Sequence, residues 1–100
     1  SVQQLLDCDT VRNRGCMGGN PVFSFPYIHT HGLATARSYP YLGFQGAFCR
    51  IEPTVAKVQS WGLLPSGAPE MMELVLQHIG PVAVGLNVAD PTFLHYQGGI

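Results

Sequence analysis

The first residues of the chain place their apolar side chains at helical spacing. Ser1 and Gln4 have the separation of a capping box, in which the serine side chain accepts a hydrogen bond at the helix start. The apolar positions that follow share one face of a helix: Val2, Leu5 and Leu6. The pattern predicts a short helix, or the end of a longer one, that runs to about Cys8.

A second helix is predicted after a segment rich in Gly, Asn and Asp, the composition of turns. Asn20 followed by Pro21 is a helix start, because asparagine can cap the first turn and proline needs no N–H there. The helix should extend to about His31 and end at Gly32. Pro26 conflicts with the helix interior, and it predicts either a kink or a later start.

The remainder of the chain combines predicted strands with one helix. Residues 55–61 alternate as a strand does, and residues 82–88 are apolar on both faces, as in a buried strand. Residues 70–78 carry apolar side chains at helical spacing and an acid in the first turn. Residues 33–50 are loop-like, and residues 93–100 end in a glycine turn. This order of elements predicts an α+β fold.

Charged residues are scarce along the whole chain. Of the 100 residues, 11% are charged and 46% are hydrophobic, whereas a typical soluble domain has about 25% charged residues. Disorder is therefore not expected, and five basic against six acidic residues leave no basic run for nucleic acid. Neither a membrane span nor a secretory leader is predicted. A chain this short normally needs many charged residues on its surface, and this one has few. We therefore expect it to be half of a larger body or to lie against a partner.

The cysteines are odd in number: Cys8, Cys16 and Cys49. Their spacing does not fit a paired zinc site. One alternative is three free thiols in a cytosolic protein. The favoured interpretation is one internal disulfide and one cysteine whose partner lies outside these residues.

The candidate chemistry within the chain is weak. A catalytic Cys–His pair is not favoured, because no cysteine lies at a helix amino terminus that would lower its pKa. His29 and His31 have no carboxylate or third histidine nearby in sequence, so a metal site is not expected, while His78 and His95 stand alone. The glycines before the second helix predict either a tight turn or an edge that binds an extended peptide: Gly18 and Gly19.

Several consecutive sequence blocks carry a resemblance to a known family. They are SVQQLLDCD, RGCMGGNP, GLATARSYPY, a later FC pair and GPVAVGLNVADPTFLHYQGGI. In order and spacing the chain resembles the papain family of cysteine peptidases over nearly its whole length. The resemblance implies a two-lobed α+β fold with a helical left lobe, a β-barrel right lobe and a cleft between them. Residues 1–61 would be the second half of the left lobe, and residues 62–100 the start of the right lobe.

The resemblance also implies roles for particular residues. Cys8 would pair with Cys49, and Cys16 with a cysteine upstream of this chain. The substrate-binding residues would be two glycines that bind the peptide backbone, two residues that form a pocket wall and one that forms its floor: Gly18 and Gly19, Asn20 and Pro21, and Gly85. Because Asn20 is polar and Gly85 is small, the pocket is expected to be roomier or wetter than usual.

No residue of the chain matches the family's catalytic cysteine, histidine or asparagine. The chain is therefore predicted to be a cofactor-free fragment of a papain-like peptidase, inactive alone, that contributes walls of the cleft for a peptide or protein substrate. Its other partners would be the remaining segments of the same peptidase or other chains. The alternatives are a catalytically dead papain-like binding module and a cytosolic metal-binding domain built on the histidines. Disulfides favour a lysosomal or secreted location.

Overall fold

The structure, a computed structural model, describes residues 1–100 as two compact units, Ser1–Leu63 and Leu64–Ile100. The first unit contains two helices, α1 (Val2–Cys8) and α2 (Pro21–His31), with a short 3-10 turn at Gly15–Met17 between them. The second unit contains α3 (Pro69–His78) and the single-turn α4 (Pro91–Leu94). None of these helices combines the length and the hydropathy that a membrane crossing requires.

Capping side chains set the ends of both helices in the first unit, as predicted. The Ser1 hydroxyl accepts a hydrogen bond from the Gln4 N–H at 3.2 Å, and the Asn20 side chain accepts one from the Val22 N–H at 3.1 Å. Helix α2 ends at Gly32, whose φ of +70° is a conformation that other residues rarely adopt. The predicted bounds of α1 and α2 are confirmed.

Pro26 lies inside α2 without delaying its start. The helix begins at Pro21, so the predicted later start is wrong. Proline at this position removes the N–H that would bind the carbonyl of Val22. The ring of Pro26 is exposed, and Val22 is only half-buried, so solvent can reach this side of the helix.

The two predicted strands do not form. Residues 55–61 make one antiparallel bridge, between Leu33 and Ala56, and residues 82–88 have no regular structure. The second segment is also exposed rather than buried, with Val84 at 65% and Leu86 at 71% exposure. A strand requires a neighbouring strand for its backbone hydrogen bonds, and this chain supplies none. The expected α+β class is represented here by its helical part.

The second unit agrees with the sequence in one helix and differs in another. Helix α3 covers the predicted range with one further residue, Pro69, at its start. Helix α4 was not predicted, although the Asp90 side chain caps it by accepting a hydrogen bond from the Thr92 N–H at 2.7 Å. The signal was present, because Asp90-Pro91 repeats the cap-then-proline pattern of Asn20-Pro21.

The interior of the first unit is unusually polar. Its buried hydrophobic side chains are Ile28, Ala34 and Tyr39, whereas four polar residues are also buried: Gln3, Gln4, Asp9 and Asn13. On α1 the predicted apolar face is only partly buried: Leu5 and Leu6 are half-buried and Val2 is 64% exposed, whereas the polar Gln3 is completely buried. Each of these two glutamine side chains donates a hydrogen bond to a backbone carbonyl far away in sequence, Gln3 to Phe44 and Gln4 to Gly32.

Candidate functional site

An open and mostly apolar cleft of about 450 Å³ lies in the first unit. Three segments form it: α1, the loop that leaves α1, and the first two turns of α2. The lining residues are Leu5, Leu6, Asp9, Asn13, Gly15, Cys16, Gly18, Gly19, Asn20, Pro21, Ser24, Phe25 and Ile28. Four of the predicted substrate-binding residues, at positions 18–21, are thus brought together at one side of this cleft.

The two glycines of the cleft are required for different reasons. Gly18 has a φ of +116°, and its carbonyl accepts a hydrogen bond from the Arg14 N–H at 2.9 Å. A Cβ atom at Gly19 would lie 2.5 Å from the Asn13 side-chain oxygen, closer than atoms can approach. Gly19 is exposed, and neither its N–H nor its carbonyl is hydrogen-bonded within the chain. This backbone edge is open to a ligand.

The two residues after the glycines join this edge to α2. Asn20 is extended, with φ −136° and ψ 132°, and its side chain caps the helix. Pro21 occupies the first helical turn and is exposed on the rim of the cleft. Gly85, the fifth predicted substrate-binding residue, lies in the second unit in a stretch without regular structure. A Cβ atom there would meet no other atom within 4 Å.

The cysteines occupy two different settings. Cys8 and Cys49 are joined by a disulfide bond, with their Cα atoms 4.9 Å apart, which is the pairing that the resemblance implies. Cys8 is therefore not a free nucleophile. Cys16 lines the cleft and is exposed as a free thiol within this chain.

No histidine lines the cleft. His29 is exposed, with its Nδ1 atom 2.8 Å from the carbonyl oxygen of Val58, and His31 stacks on the Tyr27 ring at 4.6 Å. The other two histidines, His78 and His95, belong to the second unit. The Cys–His pair considered from the sequence is not assembled within this chain.

A polar cluster lies beside the disulfide and ties α1 to the loop that carries Cys49. The Asp7 carboxylate accepts hydrogen bonds from the Tyr39 hydroxyl at 2.8 Å, the Gly46 N–H at 2.7 Å and the Gln3 amide at 2.9 Å. The Tyr39 hydroxyl in turn accepts a hydrogen bond from the Arg50 N–H at 3.1 Å. One carboxylate thus connects three separate parts of the first unit.

The hydrogen bonds decide the protonation of this cluster. Burial alone would raise the pKa of the Asp7 carboxyl, but the donors from Gly46, Tyr39 and Gln3, with the charge of Arg50, outweigh it and lower the pKa below the ordinary 3.8. Burial raises the pKa of the Tyr39 hydroxyl, and the Asp7 carboxylate adds to this rise against the opposing effect of the Arg50 N–H. Asp7 therefore stays ionised, and Tyr39 stays neutral, in mildly acidic solution.

Replacing Asp7 by Asn should change how stability depends on pH. A carboxyl with a lowered folded-state pKa contributes stability above its unfolded-state pKa and loses it as the pH falls through the folded value, below 3.8. The Asp7→Asn variant should lose about 1–3 kcal/mol at neutral pH, and this deficit should shrink at about pH 2. Urea unfolding at both pH values measures this. Glu73→Gln, which removes an exposed carboxylate of α3, is the control. A deficit that is equal at both pH values would contradict the prediction.

Sequence patterns did not identify the polar contacts behind the cleft, which join the buried Asp9 and Asn13 to the half-buried Ser24. Asp9 and Asn13 belong to a segment whose composition indicates a loop, and Ser24 lies within a helix. Asn and Asp are common in exposed turns, so nothing in the spacing distinguishes a buried pair from two solvated side chains. Their roles depend on contacts between segments.

The comparisons with known proteins agree over the whole chain. Residues 1–100 match the sequence profile described as "Papain family cysteine protease". The chain is 38% identical over 104 residues to cathepsin R of Mus musculus and, likewise, to cathepsin Q of Rattus norvegicus, with 100% of this chain and 30% of each relative aligned. Cysteine proteinase 3 of Entamoeba histolytica is 36% identical over 100 residues, which are 99% of this chain and 32% of that protein. The chain thus spans about a third of the length of these relatives.

Proposed function

The chain belongs to the papain family of cysteine peptidases, and from this premise we propose that it is a segment of a longer enzyme that hydrolyses peptide bonds by thiolate attack. The nucleophile, the base and the residue that orients the base would come from segments outside these residues. The thiolate would attack the peptide carbonyl carbon, the amine would leave after protonation, and water would release the acyl group and regenerate the thiol. No cofactor is needed for this sequence of steps.

The contribution of this chain would be to hold the substrate. The carrying observation is the exposed backbone of Gly19, whose N–H and carbonyl have no partner in the chain and lie at the rim of an apolar cleft. An extended peptide could pair with this edge through main-chain hydrogen bonds, while the cleft receives one of its side chains. Gly18 would contribute by allowing the turn that presents Gly19.

Asn20, Pro21 and Gly85 would shape the specificity pocket. Asn20 and Pro21, which both line the cleft, would form the wall of this pocket and give it one polar and one apolar side chain. Gly85 keeps the role that the family correspondence gives it, as a floor residue without a side chain. A polar wall and a small floor favour a larger or more polar substrate side chain than a purely apolar pocket would accept.

The exposed apolar surface supports an assembly larger than this chain. No residue after Tyr39 is buried, and large apolar side chains are exposed on α3 and on the segment that follows it: Met71, Leu74, Leu76, Ile79, Val84 and Leu86. Exposure on this scale marks an interaction surface. We propose that the remaining segments of the enzyme cover these side chains. Residues 1–61 would belong to its helical lobe and residues 62–100 to its barrel lobe.

The disulfide supports a lysosomal or secreted location for the enzyme.

The longer protein that contains this chain should be labelled at one cysteine by a thiol-reactive peptide epoxide. Gly19→Ala should slow this labelling about tenfold, because its Cβ would displace Asn13. Alkylation of the same thiol by iodoacetamide should not change. Gly62→Ala is the matched control, since a Cβ there meets no atom within 4 Å. No epoxide labelling of the unaltered protein would refute the peptidase and support the catalytically dead binding module instead.

A further inference from the structure

Asn13 is a buried side chain directly beneath the Gly19 edge, and the family correspondence gives it no role. Its exposed fraction is 8%, although it lies in the loop between α1 and α2. We propose that Asn13 is a positioning residue that holds the Gly19–Asn20 backbone in the conformation that binds a peptide. The inference rests on the proposed function for the use of this edge, but its geometric part is independent of any activity.

Asn13 contacts the edge through its side-chain oxygen. Oδ1 accepts a hydrogen bond from the Asn20 N–H at 2.7 Å. The same oxygen would lie 2.5 Å from a Cβ atom at Gly19, so the amide packs directly against the backbone of that residue. Because a backbone N–H can only donate, the atom that faces it must be the amide oxygen, and this fixes the orientation of the side chain.

The amide nitrogen of Asn13 is held from the opposite side. Nδ2 donates to Oδ2 of Asp9 at 2.9 Å and to Oγ of Ser24 at 3.0 Å. Asp9 is 5% exposed and forms the carboxyl-terminal cap of α1, while Ser24 belongs to α2. Both amide protons are therefore used, and each is bound to a different helix or its cap.

Through these contacts Asn13 links the end of α1 and the helix α2 to the Gly19–Asn20 backbone. The asparagine carboxamide offers one acceptor toward Asn20 and two donors toward Asp9 and Ser24, and glutamine would carry the same groups one methylene farther from the backbone. Alanine would leave a buried carboxylate and a backbone N–H without partners, and the edge would relax away from its position. Displacement of a substrate-positioning group by about 1 Å can lower the rate by about a hundredfold.

The test exchanges the two side chains of the buried pair. Asn13→Ala removes every contact, whereas the double variant Asp9→Asn/Asn13→Asp returns a carboxylate oxygen to the Asn20 N–H and an amide to the Asp9 position. Asn87→Ala is the matched control, because the exposed Asn87 side chain also accepts one backbone hydrogen bond, from the Ala89 N–H at 3.1 Å. All variants are made in the longer protein that contains this chain.

Two measurements are made on each variant. Asn13→Ala should speed hydrogen exchange at the Asn20 amide about tenfold, with no change at the Gly32 amide, which ends α2. It should also lower kcat/KM for a peptide substrate about tenfold, mainly through KM. Iodoacetamide should still alkylate the nucleophile at the original rate, and the exchanged pair should restore both quantities.

Each result decides one part of the inference. Unchanged exchange at Asn20 in Asn13→Ala, or equal acceleration at Gly32, would overturn the positioning role, as would failure of the exchanged pair to restore slow exchange. Faster exchange at Asn20 with unchanged KM would overturn the use of this edge by substrate. Absence of turnover in the unaltered protein would instead refute the proposed peptidase activity. Hydrogen exchange does not depend on that activity, so it would still test the positioning role of Asn13.

Discussion

Replacing either Cys8 or Cys49 by Ser should destabilise the first unit by about 4 kcal/mol, the largest effect expected from any single substitution in this chain. The disulfide joins residues separated by 41 positions, and it restricts a loop of that length in the unfolded chain. Closing such a loop lowers the conformational entropy of the unfolded chain, and this raises the free energy of unfolding. Small domains have about 5–15 kcal/mol of stability in total, so the loss should be plain in urea unfolding.

The paired nature of the bond makes the prediction sharp. The double variant Cys8→Ser/Cys49→Ser should have the same free energy of unfolding as either single variant to within about 0.5 kcal/mol, because the first substitution already removes the whole cross-link. Dithiothreitol should lower the stability of the original protein by more than it lowers that of the double variant, which has already lost this cross-link. Additive losses in the double variant would show that the two cysteines contribute separately, contrary to this account.

Replacing Gln4 by Leu should cost about 2–4 kcal/mol, although leucine is apolar and similar in volume. The Gln4 amide donates to the Gly32 carbonyl at 3.1 Å and to the Tyr27 hydroxyl at 3.2 Å, and its oxygen accepts from the Ala34 N–H at 2.8 Å. Ala34 is 3% exposed, so water cannot readily replace the lost partner. Leucine would leave two buried backbone groups unsatisfied.

Two further variants test the same point. Gln4→Glu keeps the acceptor for Ala34 but places a buried carboxylate oxygen against the Gly32 carbonyl, so at neutral pH it should be no more stable than Gln4→Leu, and it should recover part of the loss when the carboxyl is protonated in acid. Gln45→Leu, which replaces an exposed glutamine in the same unit, should change the free energy of unfolding by no more than about 0.5 kcal/mol. If Gln4→Leu and Gln45→Leu were equally stable in urea titrations, burial of Gln4 would have no energetic importance.

Local signals in the sequence were sufficient for the helices. Ser1 and Asn20 cap helices whose first turns leave N–H groups without partners, and Gly32 ends α2 in a conformation suited to glycine. These determinants lie within a few residues of the element they define, so they can be recognised without knowledge of the fold. The same type of signal, Asp90-Pro91, defines the start of α4.

Local sequence signals could not predict which segments form strands or which side chains are buried. The residues around Val84 have the composition of a buried strand but are exposed and unpaired. The composition describes the surroundings that such a segment needs, and those surroundings must come from other parts of a protein. For α1, periodicity correctly located the helix, but it could not show that Gln3 and Gln4 are its most buried residues, because they are buried through hydrogen bonds to distant backbone groups.

By itself, the sequence determined the helix boundaries and the family, because caps, turn residues and the ordered blocks around GCMGGNP are all local features. Only the tertiary structure decided that a carboxylate at Asp7 connects three segments, and that Asn13 lies beneath Gly19. The physical reason is that a hydrogen bond between distant segments depends on where the chain returns in space. A polar residue has the same local signature whether its partner is water or a buried backbone group.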